Sequence, residues 1–311
     1  MIVVTFNSAS TLLPCLSSIP ADCEVIVVDQ ESSDDSVPTA VRIRPDVALI
    51  RAGSNRGFGA GCNLGAANAA AEILIFLNPD AAFCSADTVR VLADCVANND
   101  AVVGPRILDA NGEDQTRARY WSRPVADIAE VFLPVRLLVG KLRRDVPRTD
   151  AVYTRGGPVP YAQGSCIAIS AKNFRRVGGF DERFYLYQEE ELLARRLLEF
   201  GVKALLEPRA VITHIGGCST SQYPDFSASQ YYRSVALSYI LFRRRIVALP
   251  TIAVLWVVLQ LMAASTPLRK AIGLRSDKSR TWYRAAASGI VSGLRRQMVS
   301  PPTLLSDFSP S

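Results

Sequence analysis

The chain has 311 residues and a formal net charge of +6 at pH 7, long enough for one large α/β domain plus an appendage. The charge is uneven: residues 1–232 carry 23 Lys and Arg against 27 Asp and Glu, whereas residues 233–311 carry 12 against 2. The basic residues of the tail flank an apolar run and are not interleaved with stacking aromatics, which argues against nucleic acid and for an anionic membrane surface. The seven cysteines, at 15, 23, 62, 84, 95, 166 and 218, are odd in number and lack CxxC spacing, so reduced thiols in a cytosolic compartment are expected, with no zinc site. IVVTF is strand-like from residue 2 with no basic segment before it, so no signal peptide is expected and the domain that it opens should stay in the cytoplasm.

Along the chain, short β-branched runs alternate with helix-length segments. IVVTF is followed by CEVIVVDQ, VALIRA, EILIFLN and DAVVGPRIL, with Ala- and Leu-rich stretches between several of them. That rhythm predicts βαβ units and a mainly parallel sheet buried on both faces. From about 115 to 160 the pattern weakens into irregular chain around a short apolar helix expected at 128–140, and a stretch of that length is more often functional than filler. The pattern resumes at YAQGSCIAISA, then RRVGGFDERF, a glutamate-headed helix, and VKALLEPRAVITHIGGCSTSQ.

Ligands of such sheets collect at the carboxyl ends of the strands. Thr5-Phe6-Asn7-Ser8 follows the first strand and Asp29-Gln30-Glu31-Ser32-Ser33-Asp34 the second; the third leads to SNRGFGAGCNLG (54–65), and the fourth ends in Asn78-Pro79-Asp80. Each alone is ordinary turn chemistry. The glycine-rich segment has neither GxGxxG nor GK[ST], so it is not a dinucleotide fingerprint or a P-loop. As a set the segments offer a carboxylate for a base or ribose, glycines for close backbone approach, and a carboxylate for a metal.

The stretch FYLYQEEELLARRL (184–197) places three carboxylates at a predicted helix start, where Glu is favourable against the helix dipole. With Glu189 as the first helical residue, Leu193, Leu197 and Phe200 share one side. Glu190 falls on that side, Glu189 lies at its edge, and Glu191 points away to an exposed pair with Arg195.

The succession VVTFNS, EVIVVDQESSD, NRGFGAGCNLG, FLNPD, VGGFDERFYLYQEEE and THIGGCSTS, in order over residues 2–221, resembles the family 2 inverting, nucleotide-sugar-dependent glycosyltransferases of GT-A fold, closest to their rhamnosyltransferase-like members. The resemblance implies a GT-A domain over 1–228, with a donor half to about 112 and an acceptor half from about 113, followed by a helical, membrane-associating region at 229–311. It implies donor contacts from Thr5, Asn7, Asp29, Ser32, Asp34, Arg56, Gly57, Asn63, Asn78 and Asp80, and acceptor contacts from Gly164, Ser165 and Asp181. Asp80 stands at the final Asp of the family's DxD-type motif, and with His214, the chain's one histidine, it would hold Mg²⁺ or Mn²⁺ against the donor diphosphate. Glu190 stands where the family's general base stands, beside Glu189.

Two departures bear on the acceptor: Leu192 stands where Asp is common, and Pro160-Tyr161 where Asp-Trp is common. The expected reaction moves a sugar, with dTDP-rhamnose one candidate donor, to a lipid-linked or cell-envelope glycan hydroxyl. A processive polysaccharide synthase is the nearest alternative, but QTRARYW (115–121) is not QxxRW. A catalytically inactive sugar-nucleotide-binding scaffold has no need of Asp29, Asp80, Glu190 and His214 together. The run 246–268 has no charge over 23 positions, enough at ~1.5 Å per residue to cross a ~30 Å hydrocarbon core. Basic residues on both sides favour a hairpin or in-plane helix at the cytoplasmic face. The alternative is a helix packed on protein, in the catalytic domain or in a homodimer interface.

Overall fold

The computed structural model describes residues 1–131, 145–216, 223–271 and 278–299. The chain divides into two compact units. The first comprises Met1–Trp121, Arg144–Tyr185 and Glu189–Ser219, and the second Ser122–Arg143, Leu186–Gln188 and Thr220–Ser311.

Among the described residues the first unit is built on a nine-stranded sheet. Its strands are β1 (Ile2–Thr5), β2 (Ile26–Asp29), β3 (Ala48–Arg51), β4 (Ile73–Leu77), β5 (Ala81–Phe83), β6 (Val102–Leu108), β7 (Gly157–Val159), β8 (Cys166–Ser170) and β9 (Ala204–His214). The order is β3-β2-β1-β4-β8-β6-β9-β5, with β7 also paired to β9. β3, β2, β1 and β4 run parallel, as does β6 with β9. The apolar runs of β1, β2 and β4 are buried on both faces.

β8 runs antiparallel to β4 and β6, so the sheet is more mixed than the sequence rhythm predicts. The reason lies in the connection. A parallel neighbour needs a crossover connection over one face of the sheet, and the strand's own residues do not encode which way the chain returns to it. β3, at the edge, is half-exposed rather than buried.

Helices cover both faces. On one side α1 (Leu12–Ser17), α2 (Ser36–Ile43) and α4 (Asp87–Asn99) pack Leu12, Leu16, Ala40, Leu92 and Val96 against Val3, Val27 and Leu77. On the other, α3 (Phe58–Ala67) lies close on β1 because Gly61 and Gly65 have no side chain. A methyl there would stand 2.6 Å from Val4 and 2.5 Å from Ile2. Phe76, Phe174 and Phe180 meet at centroid distances of 4.9 to 5.4 Å, fixing the segment after α7 (Ala171–Arg176). α6 (Val152–Arg155) is a single turn in the irregular stretch.

The glutamate helix α8 (Glu189–Glu199) packs Leu193 and Leu197 into this second core. Phe200 lies past the helix end and is exposed, so the apolar side expected to include it stops at Leu197.

The second unit is helical: α5 (Pro124–Val131), α9 (Pro224–Phe242), α10 (Arg245–Ala271) and α11 (Arg280–Val299). The apolar helix expected at 128–140 begins earlier, at Pro124, and 132–140 lies outside the described residues. The boundary expected at 228 falls inside α9. α9 and α11 pack at backbone contact, since a methyl on Gly289 would meet the Ser229 carbonyl oxygen at 2.0 Å.

Candidate active site

The carboxyl ends of β1 and β2 bring Thr5 and Asp29 side by side in register. Both are buried. Asp29 Oδ2 accepts from the Ser32 amide at 3.2 Å, while Asp29 Oδ1 and Thr5 Oγ1 have no hydrogen-bond partner. An unpartnered buried polar atom costs about 1–3 kcal/mol, so this corner keeps hydrogen-bonding capacity that the fold does not use.

The loops beyond are braced by the other polar residues of the two segments. Asn7, in the left-handed region at φ 51°, accepts from the Ser33 amide at 2.8 Å, and its own amide donates to Ser32 Oγ at 3.0 Å. Asp34 accepts from the Ala9 amide at 3.0 Å and from Ser36 Oγ at 2.5 Å. Partial burial pushes the Asp34 carboxyl up, but the Ser36 and Ala9 hydrogen bonds outweigh it and hold it below the usual carboxylate range. Asn7, Ser32 and Asp34 therefore build the loop.

In the glycine-rich segment the close approach is to protein. Gly57 has φ 94° and ψ 170°, a conformation essentially reserved to glycine, and a methyl there would stand 2.1 Å from the Tyr185 carbonyl oxygen. The Phe58 amide donates to that oxygen at 3.1 Å. The Arg56 guanidinium pairs with Glu182 at 2.5 Å, and its amide donates to Gln30 Oε1 at 3.0 Å. Asn63 accepts from the Phe180 amide at 2.9 Å and donates to Glu182 at 3.1 Å. Arg56, Gly57 and Asn63 clasp the 180–185 segment.

After β4 the turn Asn78-Pro79-Asp80 leads into β5, which pairs antiparallel with β9 so that Ala81 faces His214. Asp80 Oδ1 lies 3.2 Å from His214 Nε2, Asn78 Nδ2 lies 3.5 Å from the same nitrogen, and the Ile215 amide donates to the Asp80 carbonyl at 3.1 Å. One carboxylate oxygen and one imidazole nitrogen at this separation suit adjacent ligands of a single cation, since bonds of ~2.1 Å at right angles put neighbouring donors ~3 Å apart. Among the described residues no cluster of three or more His, Cys, Asp or Glu forms a metal site, so a cation here would draw its remaining ligands from a bound diphosphate or water. The later part of the motif, Cys218 to Ser221, lies outside the described residues.

The chain enters α8 through Tyr187 and Gln188, both left-handed at φ 70° and 71°. Non-glycine residues rarely take that conformation, and two in succession form a strained entry of the kind found at working sites. Glu189 is fully buried near Gly59, with Oε2 unpartnered, rather than lying at the edge. Burial, and then the charge of Glu190, push its carboxyl far above the ordinary range.

Glu190 is half-buried, and a methyl on Gly164 would stand 3.9 Å from its carboxyl carbon. Burial pushes it up too, opposed by its own amide and by Arg119. Glu191 pairs with Arg195 at 2.7 Å as the i+4 spacing predicts, but the pair is not exposed. The Arg195 guanidinium stacks over Trp121 at 4.4 Å, and Trp121 packs on Tyr161 at 5.9 Å, so that face of α8 is covered by the irregular stretch.

The acceptor-side residues divide. The Ser165 carbonyl accepts from the Asn78 amide at 3.0 Å, and Ser165 Oγ is buried without a partner. This bond joins the loop of Gly164, beside Glu190, to the turn that carries Asp80. Asp181 is an internal anchor, buried and ion-paired to Arg183 at 2.5 Å and Arg196 at 2.7 Å. Burial pushes its carboxyl up, yet the two arginines hold it below the usual range.

Gln30, Glu182, Arg119 and the Trp121–Arg195 stack are absent from the sequence-derived set. Gln30 and Glu182 lie within recognised motifs and could have been found there. The position of Arg119, in irregular chain, has no local signal.

Residues 1–178 match the model of the family described as glycosyl transferase family 2. The chain is 26% identical over 256 residues to the N-acetylglucosaminyl-diphospho-decaprenol L-rhamnosyltransferase of Mycobacterium tuberculosis, covering 75% of this chain and 81% of that protein. It is 26% identical over 194 residues to the low-salt glycan biosynthesis hexosyltransferase Agl10 of Haloferax volcanii, covering 61% and 58%. Among solved structures, the mannosyltransferase PcManGT of Pyrobaculum calidifontis, in complex with GDP-Man and Mn²⁺, superposes with a TM-score of 0.54 at 20% identity, covering 96% of this chain and 86% of that one. The mixed sheet is that of the GT-A fold, and the chain belongs to glycosyl transferase family 2.

Proposed function

We propose that the protein is an inverting transferase that moves one sugar, rhamnose from dTDP-rhamnose, to a hydroxyl of a lipid-linked glycan at the cytoplasmic face of the membrane. The observation that carries the reading is the Asn78–Ser165 hydrogen bond, which ties the turn leading to Asp80 and its partner His214 to the Gly164–Ser165 segment beside the base candidate Glu190. The rhamnosyltransferase relative supports the choice of sugar and the lipid-linked acceptor.

In this reading Thr5 and Asp29 take the base or deoxyribose of the donor with the hydrogen-bonding capacity they leave unused. Asp80 and His214 hold Mg²⁺ or Mn²⁺, which stabilises negative charge on the leaving nucleotide diphosphate. The acceptor hydroxyl lies by Gly164 and Ser165, and Ser165 Oγ orients it. Glu190 removes the hydroxyl proton as the oxygen attacks the anomeric carbon from the side opposite the leaving group, which inverts that centre. Burial favours the reaction by making Glu190 a stronger base than an ordinary carboxylate. Glu189, raised further, holds its proton more tightly than Glu190, so Glu190 is the member of the pair that gives up its proton first.

The test incubates the purified full chain with labelled dTDP-rhamnose, UDP-GlcNAc, UDP-galactofuranose and GDP-mannose, each with polyprenyl-diphospho-GlcNAc. Transfer from dTDP-rhamnose with inverted anomeric configuration is expected. Transfer from another donor alone contradicts the choice of sugar, and retained configuration contradicts the mechanism.

A further inference from the structure

Helix α10 is apolar on two opposite sides, and only one of them is covered. Ala248, Ile252, Leu255, Leu259 and Ala263 are buried in a cluster with Tyr232, Val235 and Tyr239 of α9 and Tyr283, Ala287 and Ile290 of α11. At ~100° per residue these five lie on one arc of the helix. The opposite arc holds Ile246, Leu249, Ala253, Val254, Trp256, Val257 and Leu261, all exposed; Ile246 is 80%, Leu249 51%, Val257 47% and Leu261 58% accessible. Gln260 and Pro250 complete this arc, and it carries no charge from Ile246 to Ala264. A water-facing helix side is normally polar or charged, so this one is shaped for an apolar medium.

The buried arc decides how that medium is met. Among the described residues α10 is the one helix long and apolar enough to cross a membrane, and a crossing would carry its partners α9 and α11, which are not, into the bilayer with it. Half of this one is committed to α9 and α11. The exposed Arg244 and Arg245 stand at the start of the apolar arc, and Lys278, Arg280 and Arg284 are exposed at the start of α11. Residues 233–311 carry 12 basic against 2 acidic residues, which complements an anionic headgroup layer.

We infer that α10 lies in the plane of an anionic bilayer surface, with Ile246, Leu249, Val254, Trp256, Val257 and Leu261 immersed among the acyl chains near the headgroups and the opposite arc held by its own helical unit. The inference deepens the membrane-side reading of the acceptor and rests on it. A helix bound in this way places the protein beside a lipid-linked acceptor without crossing the membrane.

The experiment uses the full chain with vesicles of phosphatidylcholine alone and of phosphatidylcholine mixed equally with phosphatidylglycerol, and needs no sugar chemistry. Flotation with the mixed vesicles, weakened by salt, is expected. Leu249→Glu and Val257→Glu, at exposed positions where circular dichroism should show an unchanged fold, should each weaken it about tenfold or more. Depth is read from quenching of Trp256, with Trp256→Phe as background, by lipids brominated either near the ester end or near the tail end of their chains. Stronger quenching by the ester-end bromines supports the in-plane helix. Stronger quenching by the tail-end bromines overturns it in favour of a crossing, because Trp256 is near the middle of the run. A dimer in solution that Leu249→Glu dissociates, with flotation unchanged, overturns it in favour of a second copy. Flotation without transfer from any nucleotide sugar would refute the proposed activity alone, and transfer without flotation would refute this inference alone.

Discussion

Replacing Gly57 with alanine tests whether the glycine-rich segment holds the protein together or merely leaves space for a ligand. The added carbon meets two penalties. At φ 94° and ψ 170° the backbone lies where a side chain is strained by about 1–3 kcal/mol. It would also stand 2.1 Å from the Tyr185 carbonyl oxygen, which must retreat and release the Phe58 amide, adding about 1–3 kcal/mol of overpacking and about 0.5–1.5 kcal/mol of lost hydrogen bond. The total, about 2.5–7.5 kcal/mol, is a large part of the ~5–15 kcal/mol that holds a typical domain folded. Gly53→Ala is the control, with φ +71° but nothing within 4 Å of the added carbon, and should cost only about 1–2 kcal/mol. Urea denaturation followed by circular dichroism compares the two. A Gly57→Ala cost equal to that of Gly53→Ala would refute the contact with Tyr185 as the reason for the glycine.

Glu189→Gln should alter how stability depends on pH. With its carboxyl raised in the folded state, Glu189 keeps its proton at pH values where the unfolded chain loses it, so wild-type stability falls as pH rises from the ordinary glutamate range through the raised value. The variant lacks that decline, and parallel melting profiles across pH would contradict the assignment. EDTA should abolish transfer and Mg²⁺ or Mn²⁺ restore it, with Asp80→Ala and His214→Ala each needing at least ~10-fold more metal; full activity of either variant in chelator removes the metal role. Thr5→Val removes an oxygen without a partner in the donor-free protein, so stability should be unchanged or slightly higher while donor KM rises. A destabilised variant with unchanged donor KM would mean that the hydroxyl serves the fold.

The parallel half of the sheet was legible because β1, β2 and β4 are continuous apolar runs, a pattern that only strands buried on both faces require. β8 reads the same way locally, and its antiparallel direction is set by the path of the chain after β6, which no local pattern encodes. The candidate site was legible to the extent that Asp80 and His214, picked out for one chemical use, do meet across β5 and β9. It was less legible where the same polar residues serve two purposes. Asn63 and Asp181 have the composition of binding residues, yet their partners are Phe180, Arg183 and Arg196, which are visible only once the chain is folded. The helix phase turned Glu190 inward and Glu191 to water, whereas Glu189 and Glu191 are buried and Glu190 is half-buried, because the irregular stretch that brings Trp121 over Arg195 has no periodicity to reveal it.

The central claim is that Glu190 takes the acceptor proton, and single-turnover transfer by Glu190→Gln at saturating donor, metal and acceptor tests it most directly. The amide keeps the size and hydrogen bonding of the side chain but cannot accept the proton, so the rate should fall about 10²–10⁴-fold while calorimetry shows donor affinity unchanged. A rate within a few-fold of wild type, with Glu189→Gln as the crippling change instead, would contradict the account and move the base one residue back along the helix.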